Sequence, residues 1–336
     1  MKRQRSHDPS RRRDETTAGA TRPPKPPRSR LDRVSPHPLR HIIGWLLTLG
    51  IFATCAEIIG ADSRTWPDIS TIPADLEVPP LGDAAPGPGL RVKQTLPAWR
   101  QTAVYHVLYL PQDWQPARRY PVIVEYAGNG GYKNNFGDIS TGRPEGSKLG
   151  YGMSAGKGFI WLCLPYLNGA GDALALTWWG DPPARDAEPT LRYCREAVAW
   201  ICREYGGDGQ RVVFCGFSRG AIACNFLGLH DDATAKLWRG FVAYSHYDGV
   251  RTQWPYPGVD RASALARLKR LGARPQFICH EDDGVEDTRR YLAEAMPGGN
   301  FTFVPTGFRN HNDAWVLRPC EARTRLRAWL NKLVSP

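Results

Sequence analysis

The feature that most constrains this chain is the stretch from residue 211 to residue 229, which reads as an apolar strand, a tight turn and a helix. Its turn has the pattern Gly-Phe-Ser-Arg-Gly and carries Ser218 between Gly216 and Gly220. Such a turn holds its serine in a strained backbone conformation, and a side chain at either glycine would strike the neighbouring strand or helix. We therefore predict that Ser218 is a nucleophile whose hydroxyl faces solvent at a helix N-terminus, where backbone N–H groups favour negative charge.

A second match to the same pattern surrounds Ser154, in the run Gly-Met-Ser-Ala-Gly. No strand precedes it, and a strand at 158–164 follows where a helix is needed. Because the pattern indicates a nucleophile only between a strand and a helix, we do not expect Ser154 to be one.

The basic charge of the chain is concentrated at its N-terminus. The formal net charge is +11, and residues 1–41 hold 12 of the 44 Lys and Arg but 4 of the 33 Asp and Glu. The rest is nearly balanced and shows no basic patch interleaved with aromatic residues. We expect a disordered basic tail at 1–41 and no nucleic-acid binding.

An uncharged apolar run follows this tail at 42–56. It is short for a membrane span and is typical of the apolar region of a signal peptide, with cleavage after Ala56 or near Ala61. We interpret 42–61 as a signal peptide and expect a secreted or periplasmic protein. An uncleaved membrane anchor is the stronger alternative, and a lipoprotein modified at Cys55 is a weaker one. Translation starting near Val34 would leave a signal peptide of ordinary length.

Seven cysteines lie beyond Cys55, an odd number that would leave at least one thiol free in an exported chain. Cys163, Cys215 and Cys279 lie in apolar strands and are expected to be small core residues. The spacing of Cys and His is not typical of a metal site, and we expect neither a metal nor another cofactor.

Residues 62–101 are rich in Pro and Gly, which indicates a linker or a surface arm. From residue 102 to residue 336, apolar strands alternate with amphipathic helices, of which 190–205 is the strongest. This alternation predicts an α/β domain with a mostly parallel sheet covered by helices on both faces.

The order of elements around the turn resembles the α/β-hydrolase superfamily over about residues 102–334. The similarity includes Trp200, Tyr205, Asp208 and the strand that leads to Ser218. Within the superfamily, the chain resembles secreted esterases of the polyhydroxybutyrate-depolymerase, feruloyl and acetylxylan types, and the catalytic domains of prolyl-oligopeptidase-like peptidases.

This resemblance implies a Ser, acid, His order along the chain. His311 follows the last predicted strand, where the family carries its base, whereas His280 ends the strand before it. The family's acid often occupies the fifth position of a segment that aligns with 279–283. That alignment indicates Asp283 as the acid, with Asp282 as the alternative.

The resemblance also implies that the oxyanion binds to two backbone N–H groups, those of Asn129 and Arg219, with Gly130 as an alternative to Asn129. In the glucuronoyl esterases, an Arg after the nucleophile assists substrate binding. The Arg219 side chain is therefore expected to favour an acidic or sugar-linked substrate, or else to pair with Glu125 or Asp138.

Aromatic side chains lie in the loops beyond the predicted strands, and Tyr132, Trp254 and Tyr256 are the candidates for substrate binding, as are Trp178 and Trp179. The sequence as a whole predicts a secreted serine hydrolase that cleaves small-molecule or polysaccharide-linked esters, with carbohydrate or phenolic esters favoured. Three alternatives stay open: a prolyl-oligopeptidase-like peptidase, a non-catalytic binding protein, and a membrane-anchored interaction protein.

Overall fold

A nine-stranded sheet forms the centre of the part of the chain that the computed structural model describes, residues 65–335. The strands of the described residues are β1 (Leu81–Gly82), β2 (Arg91–Gln94), β3 (His106–Tyr109), β4 (Tyr120–Tyr126), β5 (Tyr132–Lys133), β6 (Ile139–Ser140), β7 (Ile160–Leu164), β8 (Gly207–Phe217), β9 (Gly240–Tyr244), β10 (Gln276–His280) and β11 (Phe301–Pro305). The helices are α1 (Leu149–Ser154), α2 (Glu188–Glu204), α3 (Arg219–Phe226), α4 (Asp232–Ala235), α5 (Arg261–Leu268), α6 (Val285–Ala295) and α7 (Glu321–Val334).

The strand order of the sheet is β1-β2-β3-β7-β4-β8-β9-β10-β11, and β5 pairs with β6 in a separate hairpin. Strand β3 runs antiparallel to both of its neighbours, whereas the six strands from β7 to β11 in this order are parallel. The carboxyl ends of parallel strands meet at one edge of the sheet, which is where open α/β sheets bind ligands. The predicted, mostly parallel sheet is confirmed.

Helices cover both faces of the sheet because side chains alternate along its buried strands. In β8, Val212 and Phe214 face a core that includes side chains of α2 and α3, while Val213 and Cys215 face a second core that includes side chains of α1 and α7. The parallel strands are therefore apolar on both faces, as their continuous apolar runs predict.

The prediction that 62–101 is a linker is wrong for its described part, which begins at residue 65. Strand β2 pairs with β3 in the sheet, and Val92, Leu96 and Trp99 are buried. Pro and Gly set the turns between these short elements. The few large apolar side chains of the segment nevertheless bury enough surface to hold it against the rest of the domain. The folded domain thus includes residues well before 102.

The seven cysteines beyond Cys55 are all free thiols. Cys163, Cys215 and Cys279 are buried in β7, β8 and β10, in the core that also holds side chains of α1 and α7. Their prediction as small core residues is confirmed.

The predictions for residues 1–61, namely the basic tail, the signal peptide or anchor and the alternative start, lie outside the described residues. Within 65–335, none of the helices combines the length and the apolar character that crossing a lipid bilayer demands.

A buried histidine in β3 gives this fold a predictable response to acid. His106 is fully buried, its Nδ1 lies 2.7 Å from the Tyr193 hydroxyl, and burial lowers its pKa to about 3. The folded state keeps His106 neutral, whereas the unfolded chain binds the proton once the pH falls below about 6.5. Stability is therefore lost as the pH falls from about 6.5 towards 3, at up to about 1.4 kcal/mol per pH unit.

We expect His106→Gln to flatten this pH dependence, because glutamine can still accept from the Tyr193 hydroxyl and does not titrate. Urea unfolding at several pH values between 7 and 4 measures the effect. The difference in slope between the two proteins isolates His106 from other acid-sensitive groups, and equal slopes would contradict the prediction.

Candidate active site

Ser218 occupies the turn between β8 and α3 and has φ 55° and ψ −111°, the strained backbone that the turn pattern predicts. A Cβ atom on Gly216 would lie 2.3 Å from the carbonyl carbon of Gly220, and one on Gly220 would lie 2.0 Å from the carbonyl oxygen of Tyr126. Both glycines are therefore required by close backbone packing between the strand, the turn and the helix.

The Ser218 hydroxyl lies against a histidine from the far end of the domain. Its Oγ is 3.0 Å from Nε2 of His311, although 93 residues separate the two in sequence. The imidazole packs against the rings of Phe217 and Tyr132, whose centroids lie 4.7 and 4.8 Å from its own. The structure thus brings together the predicted nucleophile and the predicted base.

The loop that carries His311 is fixed on both sides of the histidine. The carboxylate of Asp138 accepts hydrogen bonds from the side-chain amides of Asn310 and Asn312, each at 3.1 Å. The hydroxyl of Tyr244 donates to the carbonyl of Asn310 at 2.9 Å. Buried Asp138, which had been expected as a partner of Arg219, instead orders the histidine loop.

The acid beside His311 is Glu281, which corrects the predicted Asp283. Oε1 of Glu281 lies 2.6 Å from Nδ1 of His311, and the Glu281 side chain is buried. Asp283 is exposed just before α6, and the alternative Asp282 is also exposed, with its carboxylate accepting from the amide of Gly284. Strand β10 ends at His280, so Glu281 is the first residue beyond the strand and lies at the sheet edge, whereas the chain has turned towards solvent at Asp283.

Glu281 is an anion at neutral pH. Burial by itself would raise its pKa, but the hydrogen bond with His311 and the electrostatic interaction with the neighbouring imidazoles of His280 and His311 outweigh burial and lower the pKa to about 2. A carboxylate in this place orients the imidazole through Nδ1 and stabilises the imidazolium that forms when Nε2 takes a proton.

A fourth polar residue, Ser245, joins this group and was missed by the sequence analysis. Its Oγ lies 3.0 Å from Oε1 of Glu281 and 2.8 Å from Nδ1 of His311, and it is buried directly after β9 with φ 89°. The sequence indication was available, since Ser245 follows a buried strand just as Ser218 and Glu281 do. Its hydroxyl can donate to the carboxylate and so hold the carboxylate in place.

Two backbone amides at the same edge are candidates for binding an oxyanion. Asn129 and Arg219 line one cleft with Ser218. Among the backbone hydrogen bonds that residues 65–335 make outside regular helices and strands, none is donated by either of these two amides. Gly130 is excluded as the alternative donor, because its amide donates to the carbonyl of Leu176 at 2.8 Å. The Asn129 side chain accepts from the amide of Trp178 at 2.8 Å, which holds this loop in place.

The loop after β4 is tightly packed. A Cβ atom on Gly130 would lie 2.6 Å from the carbonyl oxygen of Leu176, and one on Gly128 would lie 2.9 Å from the ring of Phe217. Glycine is therefore required for close approach, and the loop is preorganised for the role that the Asn129 amide would have.

The side chain of Arg219 does not face the cleft as a substrate contact, which corrects that expectation. It is 1% exposed, lies 3.7 Å above the ring of Tyr166, and donates to the carbonyls of Gly128 and Gly142 at 3.1 and 3.2 Å and to that of Trp178. It pairs with neither Glu125 nor Asp138; those two carboxylates accept from other donors. Arg219 instead connects the loop after β4 to the long loop between β7 and α2, which carries Trp178, and so supports the Asn129 amide.

The cleft above Ser218 has a volume of about 530 Å³. The predicted substrate contacts Tyr132 and Trp254 line it, as does Trp178. Tyr256 does not line it, which corrects that prediction. Tyr256 is buried, with its ring 4.8 Å from those of Trp179 and Phe226, because its loop turns back onto the core.

The other serine of the sequence analysis, Ser154, lies at the end of α1, where its hydroxyl donates to the carbonyl of Gly150 at 2.9 Å. Across residues 65–335, no cluster of three or more His, Cys, Asp or Glu is placed to hold a metal ion.

No protein-family profile matches the chain, and no curated protein does. Among solved structures, it is similar to a thermostable esterase, with 14% identity over 72% of this chain and 62% of that one and a TM-score of 0.44. It is also similar to esterase 2 of Thermogutta terrifontis (20% identity, 60% of this chain, 76% of that one, TM-score 0.40). A further similar structure is dipeptidyl peptidase 4 of Porphyromonas gingivalis (17% identity, 68% of this chain, 33% of that one, TM-score 0.45). This chain thus spans less than two thirds of the length of the first and third of these proteins.

The sheet order and the strained serine between β8 and α3 define the architecture independently of these similarities. The chain has an α/β-hydrolase fold.

Proposed function

We propose that this protein is a serine hydrolase that cleaves carboxylic esters through an acyl-enzyme. The observation that carries the proposal is the unbroken series of contacts from Ser218 to His311 to Glu281 at the wall of an open cleft. A nucleophile, a base and an orienting acid in this geometry are what acyl transfer needs, and they recur in unrelated hydrolases.

In the first half of the reaction, Nε2 of His311 takes the Ser218 proton while Oγ forms a bond to the ester carbonyl carbon. The carbonyl oxygen becomes an oxyanion, which accepts hydrogen bonds from the amides of Asn129 and Arg219. The imidazolium, stabilised by the Glu281 carboxylate, then protonates the leaving alcohol as the ester C–O bond breaks. The acyl group is left on Ser218.

In the second half, His311 takes a proton from water as the water oxygen attacks the acyl carbon. Collapse of this second intermediate breaks the bond to Oγ, returns the proton to Ser218 and releases the acid. Each proton goes out and back through Nε2 of His311, so no cofactor is needed.

Carbohydrate and phenolic esters are the proposed substrates, because three aromatic side chains line the cleft: Tyr132, Trp178 and Trp254. Flat apolar rings of this kind stack on sugars and on phenolic groups. The same residues could also attack the carbonyl carbon of a peptide bond. A panel of acetyl and feruloyl sugars and of peptidyl substrates would rank ester cleavage against peptide cleavage.

A fluorophosphonate probe tests the proposal directly, because it labels only an activated serine. We expect labelling of folded protein at Ser218, its loss in Ser218→Ala, and its retention in the matched variant Ser154→Ala. Absence of labelling, or labelling at Ser154, would contradict a Ser218 hydrolase.

We further propose that the cleft favours esters that carry a negative charge, because of Arg251. This arginine is exposed, lines the cleft with its guanidinium 6.0 Å from the ring of Trp254, and has no ion pair with any of residues 65–335. Glu281, the carboxylate that shares the cleft, is already engaged by His311.

For Arg251→Gln we expect kcat/KM for p-nitrophenyl hemisuccinate to fall about 2- to 5-fold relative to p-nitrophenyl butyrate, the size of an exposed charge interaction. Hydrolysis of both esters at low and high salt measures it, with Lys157→Gln as a control at an exposed lysine. An equal fall for both esters would argue against a charge effect.

A further inference from the structure

A second cavity lies at the opposite edge of the sheet from Ser218, and we name it the basal cavity. Its volume is about 730 Å³, which exceeds that of the catalytic cleft. It is lined by residues that precede strands β9, β10 and β11, and by the C-terminal half of α7. Arg239 and Ser245 flank β9 at its two ends, so the Cα atoms of these two residues are about 20 Å apart, six residues of extended strand.

The charge of the basal cavity is entirely positive. Its lining contains Arg239, Arg270, Arg274 and Lys332 and no carboxylate. Arg270 pairs with Asp232 at 2.9 Å, but Asp232 is exposed and this pair is on the surface. The other three form no ion pair with any of residues 65–335. Like charges gathered in one concavity repel one another and focus a positive potential, which an anion relieves.

Packing of the domain fixes one of these cations, Arg274, whereas Arg239 and Lys332 are exposed at the rim of the cavity. Arg274 donates from Nε to the carbonyl of Leu271 at 2.8 Å and from its terminal nitrogens to two further carbonyls, so its guanidinium is oriented before any ligand arrives. Arg239 makes one long bond, 3.4 Å from its Nε to the carbonyl of Leu333, which leaves its other donors available. The half-buried ring of Trp329 forms a flat wall, 5.7 Å from the ring of Phe277.

We propose that the basal cavity binds a small polyvalent oxyanion of the phosphate-ester class. Guanidinium groups match phosphate oxygens in a two-pronged geometry, and a lysine adds a compact charge. The volume suits a small molecule. Residues from four separate elements converge there, so the cavity exists only in the folded domain.

Isothermal titration calorimetry of the full chain with inorganic tripolyphosphate tests this site. We expect binding with a submillimolar Kd that weakens as salt is added. The double variant Arg239→Glu/Lys332→Glu should weaken it about tenfold or more, whereas Lys93→Glu/Lys157→Glu, which reverses two exposed lysines elsewhere, should change Kd by less than about twofold.

Thermal unfolding checks that the variants fold. If the double variant with two glutamates does not fold, Arg239→Gln/Lys332→Gln replaces it, because this variant removes both charges without reversing them. Absence of tripolyphosphate binding, or equal weakening by both charge reversals, would overturn the proposal. Binding of a short DNA oligonucleotide without binding of tripolyphosphate would overturn it too, in favour of a macromolecular surface. Fluorophosphonate labelling of Ser218 is independent of all these results.

Discussion

Ser218→Ala is expected to lower kcat for p-nitrophenyl ester hydrolysis by about 10⁴-fold or more, with almost no change in the free energy of unfolding. The substitution removes the atom that forms the acyl-enzyme, so His311 and Glu281 have nothing to activate. The small side chain fits the strained turn as well as serine does, because the two share a Cβ atom and Ser218 makes no capping hydrogen bond. Steady-state kinetics and thermal unfolding on the same preparation measure both quantities.

Ser154→Ala is the matched control, since it deletes the hydroxyl of the other serine in a G-x-S-x-G pattern. It should leave kcat within about twofold of the unmodified protein, as expected of a change away from the site. A Ser218→Ala protein that kept its activity would show that another residue is the nucleophile.

Glu281→Gln is expected to lower kcat by about 10³- to 10⁴-fold, while Asp283→Asn and Asp282→Asn change it by less than about twofold. An amide in place of the carboxylate can no longer stabilise the imidazolium and can hold His311 in the wrong tautomer. The two aspartates are exposed and make no contact with His311 among the described residues. The three variants each replace a carboxylate by its amide within three consecutive residues.

These variants separate the structural assignment from the one based on sequence. A large fall in kcat for Asp283→Asn, with little change in kcat for Glu281→Gln, would show that Asp283 is the acid, as the family pattern indicated. Fluorophosphonate labelling provides a second readout, because loss of imidazole orientation should slow labelling of Ser218 in Glu281→Gln alone.

The acid was misplaced because the family pattern and the strand boundary disagree by two positions. The pattern places the acid at the fifth position of the segment 279–283, whereas the sheet places it directly after β10, which ends at His280. Ser245 escaped notice for a related reason, since its role depends on two side chains, at 281 and 311, that only the tertiary fold brings to it. Both residues directly follow a buried strand, which indicates the sheet edge but does not indicate that either one contacts His311.

Arg219 and Tyr256 were wrongly predicted to contact substrate, because one side chain is charged and the other is aromatic. Both side chains are buried within the protein, where Arg219 donates to main-chain carbonyls and the ring of Tyr256 packs among other aromatic rings. Side-chain type alone does not show whether a loop residue faces the cleft or the core. Arg251, which does line the cleft, was not singled out, because a lone arginine in a loop is usually a solvated charge.

The stretch from 211 to 229 determined by itself that Ser218 would lie in a strained turn between a strand and a helix, because backbone sterics and apolar periodicity act over a few residues. The alternation of apolar strands and amphipathic helices likewise determined a mostly parallel sheet with two covered faces. Only the tertiary structure decided which carboxylate meets His311, 30 residues away, and which loop residues line the cleft. Those contacts depend on where strands end and how loops pack across the sheet edge, and such long-range geometry is not written in any local pattern.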